Sequence, residues 1–211
     1  MMRACDRGKT VAHVDVPQDA LTDDHGEFCP GDVCVGFFKD MWFAGRIPIP
    51  HGAKILEIGC AEVDWSQPFK IRRPDVHVTG VDQRAGFKRP ALDVLLQKNL
   101  IDPDLFDPAS FDVVIAVSVV EHIGVGRYGD VVDPDGDIKV MKYLKRWLKP
   151  DGVLYMDVPY RPEGPSTDFR QYNEADLQAR VIQDWKVIDR QFFESKHPDG
   201  PYIALVLKNE A

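Results

Sequence analysis

Glu121 and His122 stand side by side directly after the apolar run Phe111-Asp-Val-Val-Ile-Ala-Val-Ser-Val-Val120. An unperturbed imidazole titrates near neutral pH, so His122 is the leading candidate for a general base acting on a hydroxyl nucleophile. The alternative is an imidazole packed against Glu121 and the loop that follows. Glu121 could be the base itself, a substrate ligand or the partner that orients His122. Just beyond lies Gly124-x-Gly126-x-x-Gly129. No apolar strand leads directly into these glycines and no helix clearly follows, which argues against a phosphate cradle. A substrate-facing loop is favoured, with Arg127 and Tyr128 as polar readers; the alternative pairs Arg127 with Asp133 or Asp135. Two more positions carry chemistry. Gly59 ends an apolar run, where a missing side chain lets backbone approach a ligand closely. Asp82 lies 23 residues later and ends a second run. A carboxylate there can accept both hydroxyls of an adenosine ribose, or it is a solvated strand-end aspartate.

These residues need a scaffold. Residues 54–59 and 76–82 read as buried parallel strands, 93–97 as a weaker third, 111–120 as a strong fourth and 153–158 as a fifth. Ile138, Met141, Leu144 and Leu148 line one side of a helix over 137–148, and Lys149-Pro-Asp-Gly152 ends it in a turn. Asn173 caps a helix from Glu174 to about Ile182, with Asp176 reaching back as in a capping box. Residues 185–193 and 202–208 form a closing antiparallel hairpin around the turn His197-Pro-Asp-Gly-Pro201. Upstream, residues 1–31 read as a lead-in or lid, and Phe37, Phe38, Met41 and Trp42 share a helical face within 33–45. The division is a lead-in and lid helix over 1–50 and one domain over 51–211. The fold class is α/β: a Rossmann-like, doubly wound, seven-stranded sheet, mostly parallel, with an antiparallel C-terminal strand. A helix at each crossover covers both faces. Ligands in such sheets bind beyond the carboxyl ends of the strands, where strand order reverses.

Composition narrows the partners. The chain has 211 residues with 26 Lys+Arg against 34 Asp+Glu, a net charge of −8. That disfavours gripping a phosphate backbone, so no nucleic acid is expected. Among Cys5, Cys29, Cys34 and Cys60 there is no Cys-x-x-Cys pair, no metal is expected, and the set reads as reduced thiols in a cytoplasmic protein. Cys60 reads as a small core residue. No leader and no membrane span is expected. A dinucleotide fingerprint would need Gly-x-Gly-x-x-Gly, and here those positions hold Gly59, Ala61 and Asp64. Asp64 would point a negative charge at a pyrophosphate, which disfavours an NAD-type oxidoreductase.

Taken together, Glu57-Ile-Gly59-Cys-Ala61-Glu-Val63, Gly80-Val-Asp82, Ser110-Phe-Asp-Val-Val114, Ser118-Val-Val-Glu121-His122-Ile123 and Leu148-Lys-Pro-Asp151-Gly152 resemble the class I S-adenosylmethionine-dependent methyltransferases. The segment 119–130 looks like a subgroup of small bacterial members. Ala61 and Val63 replace two glycines of that family's motif, and Asp151 the first glycine of its Pro-Gly-Gly turn. The resemblance implies S-adenosyl-L-methionine as cofactor, with contacts at Glu57, Gly59, Cys60, Ala61, Asp82, Asn99, Leu100 and Ser118. Glu57 and Gly59 would support the methionine end, Asp82 the ribose hydroxyls and Asn99 and Leu100 the adenine, with Ser118 close to the sulfonium. The implied reaction is methyl transfer, with O-methylation of a small polar acceptor such as a sugar expected. A catalytically weak scaffold of the same fold is the main alternative. Asp157-Val-Pro-Tyr160 is similar to the Asp-Pro-Pro-Tyr of DNA amino-methyltransferases but follows the wrong strand. It reads as a strand end, with Tyr160 bordering the substrate pocket. Trp185 and Phe192/Phe193 read as core.

Overall fold

The apolar runs alternate their side chains between two faces, as a strand buried on both sides must. In the computed structural model, which describes residues 49–61, 65–161, 169–193 and 201–210, these runs form one seven-stranded sheet. The strands are β1 (Lys54–Ile58), β2 (His77–Asp82), β3 (Val94–Gln97), β4 (Phe111–Ala116), β5 (Leu148–Pro159), β6 (Lys186–Phe193) and β7 (Tyr202–Lys208). Their order is β3-β2-β1-β4-β5-β7-β6. Strands β1 to β5 pair in parallel, and β7 runs antiparallel to both β5 and β6. The order reverses between β1 and β4.

Leu56, Ile58, Val114, Ala116, Leu154, Met156, Leu205 and Leu207 pack on one face. Ile55, Val78, Val113, Ile115, Val153, Tyr155, Ala204 and Val206 pack on the other. The first face is covered by α2 (Gly136–Trp147) through Val140, Met141, Leu144 and Trp147. Leu177, Val181 and Ile182 cover it from α3, which opens at Glu174–Asp176 and continues as a π-helical segment, Leu177–Ile182. On the second face the described cover is Trp65, Ile49 and Leu92. A short helix, α1 (Gln67–Arg72), joins β1 to β2.

The capping box at α3 is formed: Asn173 Oδ1 accepts from Asp176 N at 2.9 Å, and Asp176 Oδ2 accepts from Asn173 N at 3.5 Å. The antiparallel pairing of β6 with β7 also matches the sequence reading. Several expectations need correction. Helix α1 was not anticipated, and the β2–β3 and β3–β4 connections carry no helix. β4 stops at Ala116, because Asp157 of β5 holds Ser118 in a left-handed backbone (φ +52°), and a 3-10 turn, Val120–His122, follows. The buried face of α2 is turned towards Val140 and Trp147, leaving Ile138 half-exposed. Residues 149–152 lie within β5, where Asp151 takes φ +65° and donates its N–H to Asn209 O. Phe192 is 45% exposed, so the last strands are not wholly core. The helix expected over 33–45, the lead-in, Asp64, three of the cysteines and the turn residues 197–200 lie outside the described residues.

Candidate active site

At the carboxyl end of β1, Gly59 adopts φ +68° and donates its N–H to Val81 O at 2.8 Å. A Cβ there would stand 2.3 Å from Val119 Cγ2. Glycine is therefore required twice: for the left-handed backbone and for close packing against the segment that follows β4. Glu57 is fully buried. Its two carboxylate oxygens accept from Trp65 N (3.0 Å) and Ser66 N (2.9 Å), which folds the loop after Gly59 back onto the strand. The next peptides are fastened from both sides. Ala61 N donates to Asp82 Oδ2 at 3.0 Å, while Arg89 donates to Cys60 O at 3.0 Å and to Ala61 O. Arg89 escaped the sequence reading because nothing in its spacing marks it. Cys60 is buried, and that burial, with Glu57 and Asp82 nearby, pushes its thiol well above the usual range. It is an inert core thiol at neutral pH.

Asp82 is 4% exposed at the end of β2. Besides Ala61 N, its carboxylate accepts from Arg84 N (2.9 Å), Arg84 Nε (3.0 Å) and Arg84 Nη2 (2.9 Å). The solvated-aspartate alternative is thereby excluded. The Arg84 guanidinium also lies 4.6 Å from the centroid of the Tyr128 ring, and Arg127 lies 5.5 Å from the same ring. Gln83 Nε2 donates to Tyr128 O at 3.0 Å. The loop after β2 and the glycine-rich loop after β4 are thus one assembly.

Glu121 is 1% exposed in the 3-10 turn, and His122 beside it is 18% exposed, with Nε2 3.9 Å from Glu121 Oε1. The imidazole meets Tyr128 and Phe169 edge-on, at 5.6 and 5.8 Å between centroids. Arg170 N donates to Glu121 O at 2.9 Å, and the Arg170 guanidinium donates to Ile123 O and to Asp133 O (2.7 Å). Gly124 N donates to Asp130 Oδ2 at 2.6 Å. Gly136 packs so tightly that a Cβ would stand 2.7 Å from Ile123 O. Behind this turn, fully buried Asp137 accepts from Tyr172 Oη (3.0 Å), Arg180 Nε (2.9 Å) and Arg180 Nη2 (2.7 Å). The catalytic candidates therefore rest on α2 and α3 through paired charges rather than on a free loop. Asp133 pairs with Lys139 at 2.5 Å, not with Arg127.

The structure brings Gly59, Ala61, Asp82, Ser118, Glu121, His122 and Tyr128 to the carboxyl ends of β2, β1 and β4. Three further candidates make contacts within the protein. Leu100 is a core side chain packed with Val81 and Val120, and Asn99 closes a turn by accepting from Ile101 N at 3.0 Å. Tyr160 contacts Phe192 edge-on at 5.9 Å and reaches Glu174 at 3.5 Å. Asp157, read as a strand end, is a fully buried positioning residue that accepts from both Ser118 N and Ser118 Oγ. A groove of about 780 Å³ between α2 and α3, lined by Lys142, Lys145, Arg146 and Trp185, includes none of these residues. Among the described residues, no group of three His, Cys, Asp or Glu side chains could hold a metal ion. Nor is any helix among them long and apolar enough to cross a membrane.

The sheet order, the antiparallel β7 and the tight turn beyond β1 define the Rossmann-like fold of the class I methyltransferases. The structure is similar to 1,6-didemethyltoxoflavin-N1-methyltransferase of Burkholderia thailandensis, solved with 1,6-didemethyltoxoflavin and S-adenosylhomocysteine. The TM-score is 0.56 at 15% identity, covering 99% of each chain. It is also similar to a SAM-dependent methyltransferase of Methanosarcina mazei, with a TM-score of 0.57 at 14% identity over 80% of this chain and 98% of that one. Among curated proteins, the sequence is 28% identical over 124 residues to trans-aconitate 2-methyltransferase of Rhodopseudomonas palustris (strain BisB18). That match covers 57% of this chain and 44% of the relative, so the chain spans less than half the length of such relatives. A family model described as Caenorhabditis protein of unknown function, DUF268, matches residues 97–181.

Proposed function

We propose that this chain is an S-adenosylmethionine-dependent methyltransferase acting on a small polar acceptor, through O-methylation of a sugar-like hydroxyl. The lead reading is one domain over 51–211 with a lid over 1–50, in the cytoplasm. The observation that carries it is the convergence at the strand-order reversal. A left-handed glycine packs against the segment after β4, a buried acid ends β2, and an imidazole beside a buried carboxylate follows β4. Those features fit the cofactor. Gly59 keeps the backbone bare, and Asp82 offers an acceptor pair whose present occupant is a side chain and not the fold. When bound, S-adenosylmethionine supplies a methyl group activated on a sulfonium. Asp82 would hold its ribose, Asn99 the adenine and Ser118 the region of the sulfonium, while Glu57 supports the site by shaping the loop.

The protein's own task is alignment and proton removal. Alignment of two reactants is worth about 7–11 kcal/mol. His122 takes the acceptor's hydroxyl proton at Nε2, because Nδ1 is buried. Glu121 Oε1, 3.9 Å away, stabilises the imidazolium that forms. Arg127 and Tyr128 hold the acceptor's polar groups, with Tyr160 at the outer edge of the pocket. A second reading, a carboxylate-bearing acceptor, is favoured by the exposed Arg127 guanidinium on Tyr128 and by the trans-aconitate named in the relative. A carboxylate nucleophile is already ionised and needs no base, so the two acceptors differ in their demand for His122.

The test is calorimetric titration with S-adenosylmethionine, S-adenosylhomocysteine and NAD, on the wild type and Asp82→Ala. Micromolar binding of the first two, lost in the variant, is expected. Preference for NAD would establish an oxidoreductase, and absence of all binding in folded protein would leave the scaffold alternative.

A further inference from the structure

Asp82 has room for about four hydrogen bonds on its two oxygens. Two are taken by backbone N–H groups, Ala61 N on Oδ2 and Arg84 N on Oδ1. The remaining two are taken by one side chain, with Arg84 Nε on Oδ1 (3.0 Å) and Arg84 Nη2 on Oδ2 (2.9 Å). A guanidinium fork that spans both oxygens occupies the same two positions that a vicinal diol needs. With the carboxylate 4% exposed, no third approach is open. The Arg84 side chain is 30% exposed and rests against Tyr128, at the mouth of the candidate site.

We infer that Arg84 is an internal stand-in for the ribose diol, a specificity-determining side chain that must leave Asp82 before adenosine can bind. The inference rests on the cofactor assignment proposed above. Charge-assisted, bidentate pairs are the stronger class of hydrogen bond, so the competition lowers affinity for every adenosine ligand. The same fork discriminates among ligands. A group that offers one hydroxyl recovers one of the two bonds lost, and only a diol recovers both.

The experiment is S-adenosylhomocysteine titration of the full chain as wild type, Arg84→Met, Arg84→Lys and Asp82→Ala, with thermal melts to establish folding. Arg84→Ala serves as a second neutral variant if Arg84→Met melts early. Arg84→Met is expected to bind about tenfold tighter than wild type, a change of about 1.4 kcal/mol. Arg84→Lys, which keeps the charge but loses the fork, should lie closer to Arg84→Met than to wild type. Binding by the variant alone would also support the stand-in. Wild-type binding that the neutral variants leave unchanged or weaken overturns it while the cofactor assignment stands. So does an Arg84→Lys variant that matches wild type, since charge alone would then account for the effect. No binding by any variant overturns both.

Discussion

His122 touches aromatic rings on two sides and a carboxylate on a third, so its orientation is set before any acceptor arrives. The proposed chemistry makes its removal specific. His122→Gln should lower kcat for a hydroxyl acceptor by about 10²–10⁴-fold, the usual worth of a positioned base. S-adenosylhomocysteine affinity should stay within about twofold, because the imidazole is not assigned to the cofactor; this margin sits far below a tenfold, 1.4 kcal/mol step. Steady-state rates paired with binding curves separate the two quantities. A carboxylate acceptor would instead show little loss of kcat, which turns the same variant into a discriminator of acceptor class. At this scale the sequence was informative about type and less so about state. Asp82, Glu121 and His122 were legible because each stands at the end of an apolar run or directly after one. Arg89 was not, because its partners are two carbonyl oxygens that only the fold brings near, and Arg84 was not, because nothing in its type shows that it turns back onto Asp82 two residues earlier. Asp157 was placed at a strand end, as β5 has it, but its hold on Ser118 was not legible, because that backbone is 39 residues away in sequence.

Among the elements, the β1–loop junction carries the sharpest constraint. Gly59→Ala introduces a Cβ 2.3 Å from Val119 Cγ2 at a left-handed backbone position. The strained backbone costs about 1–2 kcal/mol and the overpacking about 1–3 kcal/mol more. A loss of about 2–5 kcal/mol in a urea or thermal melt is expected, together with weaker cofactor binding, because Val119 leads into the Glu121–His122 turn. An unchanged melt would mean that the Val119 segment yields easily and that the site is softer than its packing implies. Strands β1, β2 and β4 were readable because burial on both faces leaves runs that are apolar at most positions. β3 was faint because it is a sheet edge, with Val94 and Leu95 exposed. The end of β4 was overestimated because Val117, Val119 and Val120 continue the apolar pattern after the hydrogen-bonded ladder has stopped. The π-helical segment of α3 has no counterpart in apolar periodicity.

For the whole molecule, acid stability follows from surface carboxylates held below their ordinary range. Arg73 does this for Asp75, Lys139 for Asp133, Lys208 for Asp151 and Arg190 for Glu174. A carboxylate with a depressed folded pKa binds its proton more readily when unfolded, at about pH 4. The stabilisation is therefore present above about pH 4 and is lost as pH falls through the lower folded values. Thermal melts from neutral to acid pH should show a flat Tm that declines below about pH 4, with added salt flattening the decline. A Tm that held steady to about pH 2 would mean these pairs are silent. The whole-molecule plan was the most legible level, since alternating strands and helices restrict a parallel sheet to few arrangements. Strand order within it was less so, because pairing between distant segments leaves no local trace.

β7 is the last strand of the sheet in the chain yet lies inside it, hydrogen-bonded on one side to β5 and on the other to β6. A chain emerging in order would present β5 with a bare edge until β7 appears, and β6 would have no neighbour to dock against. Such edges are where nascent chains stick to one another. Tyr202 to Leu207 close that gap from both sides in a single act. The sheet on the β5 side is therefore completed only when a segment well downstream of β4 has been made.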